Sequence, residues 1–270
     1  MVVSGMLEVP GAQLFTVEVG DGPDLAVMLH GGPGASHDYL RPQLDALGEP
    51  GVRRLFYYDQ RGGGRSLLAP HTPPGTWQDH VADLEAVRLH LGLHRLTLVG
   101  YSWGGLLAML YALEHPSHVG ALALISPAPA TSAGHAEMRA RLAAAPERPE
   151  VQAFKASLDL RDRRARFALA VAGYFVDPRR ALELTPFLVQ QRAEEAVWRS
   201  LGDYDLLPRL RALQLPAMVL HGDGDVIPLA SAFAIAQALS AELVELPACG
   251  HVPYLEAPEP LFAALRRFLA

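Results

Sequence analysis

Short apolar runs rich in Val, Leu and Ile alternate along this chain with longer stretches of helical period, and most of the runs end abruptly at Gly, Asp, Ser or Pro. A run that is apolar throughout fits a strand buried on both faces. Such strands belong to parallel sheets whose crossover helices cover both sides. Residues 14–19, 25–29, 54–58, 96–99, 121–125, 217–220 and 243–246 are the expected strands, and residues 37–47, 76–91, 104–114, 229–239 and 258–269 the expected helices. In residues 76–91, Thr76 suits an N-cap, Asp79 and Asp83 complement the helix dipole, and Leu84, Val87 and Leu91 share one face. From Ser126 to about Leu206 the alternation stops: the stretch is Ala- and Arg-rich, carries several prolines and offers helices without strands. The expectation is an α/β fold with a mostly parallel central sheet and helices on both faces. Residues 1–126 and 207–270 would form the core and 127–206 an inserted helical cap. The loops that carry function should gather at the C-terminal ends of the strands.

Half of the residues are hydrophobic and 19% are charged, a balance that suits one large covered sheet in a chain of 270 residues. With 29 acidic against 23 basic residues the net charge is −6, so neither nucleic acid nor an anionic membrane is an expected partner. A small-molecule or short-peptide substrate fits better. Cys249 is the only cysteine, which rules out an intrachain disulfide and a cluster of thiolate metal ligands. Met1 to Leu14 lacks a basic region followed by an apolar stretch, and no run reaches the roughly 18 apolar residues of a membrane-spanning helix. A soluble, cytoplasmic protein is expected. The sequence sets no oligomeric state.

Gly100-Tyr101-Ser102-Trp103-Gly104 directly follows an expected strand and opens an expected helix. A G-x-S-x-G in that context puts the serine on a strained strand-to-helix turn, where flanking side chains would clash and the hydroxyl is exposed. The helix behind it aims its N-terminal amides at developing negative charge. His30-Gly31-Gly32-Pro33-Gly34, after an earlier strand, supplies the second requirement, another backbone donor for an oxyanion. The amides of Gly32 and Trp103 are the expected pair.

Serine needs an adjacent base, and the base an orienting acid, in the chain order serine, acid, histidine. His251 follows Gly250 in the loop before the last helix, which makes it the expected base, while His221 at the end of a strand is given a structural role. In His221-Gly222-Asp223-Gly224-Asp225-Val226-Ile227-Pro228, Asp225 is the favoured acid and Asp223 the alternative. Asp59, Arg61 and Arg65 of Asp59-Gln60-Arg61-Gly62-Gly63-Gly64-Arg65-Ser66 read as a structural charge network bracing the oxyanion loop. His90 and His94 have the spacing of a zinc pair but lack the intervening glutamate, and fit a helix end better.

Together these motifs resemble the proline iminopeptidases within the α/β-hydrolase superfamily. The resemblance implies Ser102, Asp225 and His251 as a catalytic triad, Gly32 and Trp103 at the oxyanion hole, and no metal or organic cofactor. It implies acyl transfer through Ser102 with release of an N-terminal residue. The cap departs from the family pattern. Gly173-Tyr174-Phe175-Val176 is similar to a family segment in which a glutamate three residues before the Tyr-Phe pair helps hold the substrate's free amino terminus; here that position is Val171. Glu183, Glu194 and Glu195 remain as candidates for that contact. Glu194 and Glu195 are adjacent, so on one helix they point about 100° apart and one of them at most should face a pocket. A carboxylesterase for small apolar esters would use the same core, and a non-catalytic ligand receptor the same fold.

Overall fold

A computed structural model describes residues 1–270, and in it the apolar runs join into one nine-stranded sheet. The strands in chain order are β1 (Val2–Val9), β2 (Ala12–Val19), β3 (Asp24–Leu29), β4 (Arg53–Tyr58), β5 (Leu67–Leu68), β6 (Leu96–Tyr101), β7 (Val119–Ile125), β8 (Ala217–Gly222) and β9 (Glu242–Leu246). Their spatial order is β1-β2-β4-β3-β6-β7-β8-β9, with β5 beside β2. Antiparallel pairing is confined to β2 with β1, β4 and β5, and every other pair is parallel. The architecture is therefore the expected α/β one.

The ten helices are α1 (Trp77–His90), α2 (Trp103–Glu114), α3 (Ser132–Ala144), α4 (Pro149–Ser157), α5 (Arg163–Val171), α6 (Gln191–Leu201), α7 (Leu207–Leu210), α8 (Leu229–Leu239), α9 (Pro253–Glu256) and α10 (Pro258–Leu269). They divide between two apolar cores, one on each face of the sheet. Within β3, Val27 and Leu29 enter the core shared with α1, α2 and α8, while Ala26 and Met28 enter the core shared with α10 and part of the α4–α5 region. That strict alternation, with both faces covered, is why the strand reads as continuously apolar. α1 starts as its sequence predicts: Thr76 Oγ1 accepts from Asp79 N and Asp79 Oδ2 accepts from Thr76 N, a reciprocal capping box.

Two expectations need correction. Residues 37–47 form no α-helix but two short 3₁₀ turns, His37–Leu40 and Gln43–Leu47. Pro42 between them has no N–H to donate and its ring opposes a continuing α turn. The hairpin partner β1 was not expected at all. Nearly all of it is exposed, so no buried face writes a pattern into its sequence, and the clue lay in Pro10-Gly11, the turn that joins it to β2.

Between β7 and β8 the chain holds α3 to α7 and no strand. This helical segment is fastened over the C-terminal ends of the parallel strands. Gln190 N donates to Gly34 O at 2.9 Å, and His251 N donates to Tyr174 O at 2.7 Å. No helix is long and apolar enough to cross a membrane.

Candidate active site

Ser102 joins β6 to α2 with φ 55° and ψ −119°, a left-handed backbone that a non-glycine residue adopts only where its surroundings enforce it. The surroundings are the flanking glycines. A Cβ on Gly104 would stand 2.1 Å from Leu29 O, and one on Gly100 would stand 2.4 Å from Gly104 O. A side chain at Gly104 would push the elbow away from β3, and one at Gly100 would push the strand end away from the first turn of α2. Ser102 O caps the turn by accepting from Gly105 N at 2.9 Å and Ala128 N at 2.9 Å. Trp103 is the first residue of α2, where helix geometry leaves the N–H without an intrahelical partner.

His251 reaches this serine from the loop after β9. Its Nε2 lies 3.0 Å from Ser102 Oγ, and its Nδ1 lies 3.0 Å from each carboxylate oxygen of Asp225. With Nδ1–H donating to the carboxylate, Nε2 is left to accept from the serine hydroxyl. Asp225 is buried, and Ile227 N donates to its Oδ1 at 2.8 Å. Burial pushes the Asp225 carboxyl up, but the charge of His251 and its hydrogen bond outweigh burial and hold it below the usual carboxylate range. Asp223, the alternative acid, is exposed and accepts from Cys249 N at 3.2 Å, away from the imidazole. His221 is buried behind Asp225 and donates from Nε2 to Ile227 O at 2.9 Å. That bond serves the loop, as expected of a structural histidine.

Ser102, His251 and Gly32 open onto a cavity of about 820 Å³ lined also by α3, α6 and Tyr174. Contrary to the expectation that one of them at most would face a pocket, Glu194 and Glu195 both line it, because it is wide enough to span more than one face of α6, but they line it differently. Glu194 is partly buried, has no cation within ion-pair distance, and burial raises its carboxyl above the usual range, with Arg139 opposing. Glu195 is largely exposed, with Arg199 3.8 Å away. Glu183 lies off the cavity, paired with Arg180 at 2.8 Å. Val171 is buried in the apolar interior and lines no part of the cavity. In the cavity lining His135 stacks on Trp198 with centroids 3.9 Å apart, and Trp198 packs edge-on to Trp103.

The α/β-hydrolase fold family matches residues 26–258 of this sequence. The chain belongs to that family. Its relatives include the proline iminopeptidase of Lactobacillus helveticus (strain DPC 4571), 28% identical with 99% of this chain and 98% of that one covered. The proline iminopeptidase of Lactobacillus delbrueckii subsp. bulgaricus is 30% identical, with 90% of each chain covered. Among solved structures, a proline iminopeptidase-related protein from Thermus thermophilus superposes with a TM-score of 0.78 at 29% identity, covering 100% of this chain and 97% of the other.

In this α/β hydrolase the His30–Gly34 loop is held by residues that the motifs alone did not single out. Gln60 spans two segments: its Nε2 donates to His30 O at 2.8 Å, and its Oε1 accepts from Trp103 Nε1 at 2.7 Å. Gln60 N also donates to His30 Nε2 at 3.0 Å, and His30 Nδ1 donates to Gly31 O at 2.7 Å. That pattern requires a neutral imidazole, and burial pushes the His30 pKa down to about 4. Gly31 N donates to Tyr39 Oη at 2.6 Å. The expected charge network is split in two. Asp59 accepts from His37 N and Nδ1 and from Arg65 N, bracing the chain just after the His30–Gly34 loop, while Arg61 turns away to Asp83 of α1. Away from the site, Glu85, His115 and His118 bring donor atoms within 4.8 Å of one another, but the Glu85 carboxylate is already taken by Arg88, Tyr111 and His118.

Proposed function

We propose that this hydrolase is a serine enzyme that releases an N-terminal residue from a small or short-peptide substrate through an acyl-enzyme, with residues 127–206 as a cap over a core of residues 1–126 and 207–270. The observation that carries the proposal is the unbroken hydrogen-bonded chain Ser102–His251–Asp225 opening onto the cavity that holds Glu194. In the first step Ser102 Oγ bonds to the substrate carbonyl carbon as His251 Nε2 takes the hydroxyl proton. The amides of Gly32 and Trp103 stabilise the oxyanion, and Asp225 stabilises the imidazolium without itself taking the proton. His251 then gives that proton to the leaving amine. Water, activated by the same imidazole, cleaves the ester on Ser102 and frees the first residue.

Glu194 is the candidate partner for a free ammonium, because an unpaired charge entering a partly desolvated pocket costs several kcal/mol. A second reading, a carboxylesterase for small apolar esters, is favoured by the raised pKa of Glu194, which weakens it as an anion. Proline arylamide and short acyl ester assayed side by side on wild type and Glu194→Ala separate the two. The amine reading expects Glu194→Ala to lose arylamide hydrolysis and keep ester hydrolysis. Wild-type preference for neutral esters would favour the esterase, and negligible turnover of activated esters would favour a receptor.

A further inference from the structure

We propose that Glu256 is a positioning residue for His251, locking the histidine loop to the cap segment 174–176 through both oxygens of one carboxylate. The inference rests on His251 being the base of the proposed mechanism. Glu256 closes α9, five residues beyond that histidine. Its Oε2 accepts from Gly250 N at 2.8 Å, the amide immediately before His251, and its Oε1 accepts from Val176 N at 2.8 Å. The same two strands of chain meet again one residue along, where His251 N donates to Tyr174 O at 2.7 Å. On the opposite side, Tyr101 Oη donates to His251 O at 2.8 Å. The backbone on either side of the imidazole is thus fixed at three points, by Glu256, by Tyr174 of the cap and by Tyr101.

The approach is close enough to demand glycine at position 250. A Cβ there would stand 2.4 Å from Tyr174 O and 2.8 Å from Glu256 Oε2. Gly250 brings freedom as well as closeness, and a loop that begins with glycine needs an external restraint if its next side chain is to hold a catalytic geometry. Glu256 is suited to that task because a carboxylate only accepts, so both oxygens can meet N–H donors at once. An amide of the same shape meets one N–H and turns its own NH₂ against the other. The cap segment is itself held from behind by Arg148, which donates to Gly173 O at 3.3 Å and Phe175 O at 2.8 Å. Seating of the cap and aiming of the imidazole are therefore parts of one hydrogen-bonded unit, with Glu256 at its centre.

The test uses Glu256→Gln in the full chain, with a small neutral ester as substrate. Turnover, KM, thermal midpoint and the low-field proton resonance of the Nδ1–H of His251 are measured together. The expected result is a folded protein in which kcat falls about tenfold with KM within roughly a factor of two, because misaimed catalytic geometry costs rate rather than binding. The Nδ1–H resonance should broaden or shift. Glu256→Asp, which keeps the charge but reaches one amide, should lie between, and it serves as the test if the glutamine variant does not fold. A lowered thermal midpoint with unchanged kcat and an unchanged resonance in either variant overturns the proposal. His251→Ala keeps this failure separate from failure of the mechanism: turnover that survives His251→Ala removes the base itself, whereas its loss beside a fully active Glu256→Gln removes only the positioning role.

Discussion

On the core side of the cavity His30, Gln60, Trp103, Asp225 and His251 are buried and bonded to one another or to backbone with little freedom left. On the helical side Glu194, Glu195, Arg139 and Arg199 are half or fully exposed, and only Glu195 and Arg199 come within ion-pair distance. A buried polar group left without its partner costs about 1–3 kcal/mol, so the core wall tolerates one arrangement, whereas the exposed wall can change residues at small cost. Chemistry common to a family belongs on the first kind of wall, and choice of substrate on the second.

Substitutions on the core wall should therefore have the largest effects. Asp225→Asn should lower kcat by roughly 10³ to 10⁴, because the amide stabilises the wrong imidazole tautomer, while Asp223→Asn should change it by no more than about threefold. Equal losses in steady-state kinetics would mean that the acid is not fixed by burial. Next in size is Gln60→Leu, which strands His30 O and Trp103 Nε1 without partners. It should cost about 2–4 kcal/mol in denaturant unfolding and roughly tenfold or more in kcat, with KM little changed. A variant that is destabilised yet fully active would show that the frame holds the fold and does not serve catalysis through the His30–Gly34 loop.

On the helical wall the expected effect is a change of KM alone. Burial raises Glu194 above the usual glutamate range, so as pH falls its charge is lost earlier than that of an ordinary glutamate. The KM of a free-amine substrate should begin to rise at that higher pH, by about tenfold once the carboxylate is neutral, while the KM of a neutral ester stays flat. Parallel KM curves for the two substrates would remove Glu194 from amine recognition.

The smallest effect returns to the core wall and to stability. The pKa of His30 is lowered from 6.5 to about 4 by burial, and burial likewise lowers His80 to about 3. Below pH 6.5 the unfolded chain takes up protons that the folded protein refuses, so stability should fall as pH drops from 6.5 towards 4. Thermal midpoints read by calorimetry across that range should decline in wild type and less steeply in His80→Phe. Identical slopes would mean that this buried imidazole does not drive the loss.

The same contrast explains what could be read from the sequence. Residues 96–99 and 121–125 announce themselves as strands because both faces are covered, and the serine motif follows because a strand end fixes where its hydroxyl stands. Exposed β1 and the proline-broken turns at 37–47 carry no such pattern. Gln60 sits inside a legible motif, but the charges around it drew the chemical argument, and nothing in spacing says which polar side chain turns inward to meet Trp103. That Glu194 is partly buried and Glu195 exposed depends on helix phase. Ala193 and Val197, one turn apart, form the buried stripe of α6 and set that phase, a small-residue signal easily lost in an Ala-rich segment.

The central claim is that the core wall exists to make Ser102 a nucleophile. Reaction with a serine-directed phosphonate followed by peptide mass mapping tests it most directly. The account predicts one adduct, on the peptide that contains Ser102, and none in a folded Ser102→Ala variant whose turnover has dropped by roughly 10⁴-fold or more. An adduct on a different serine, or near-normal turnover in Ser102→Ala, would contradict it.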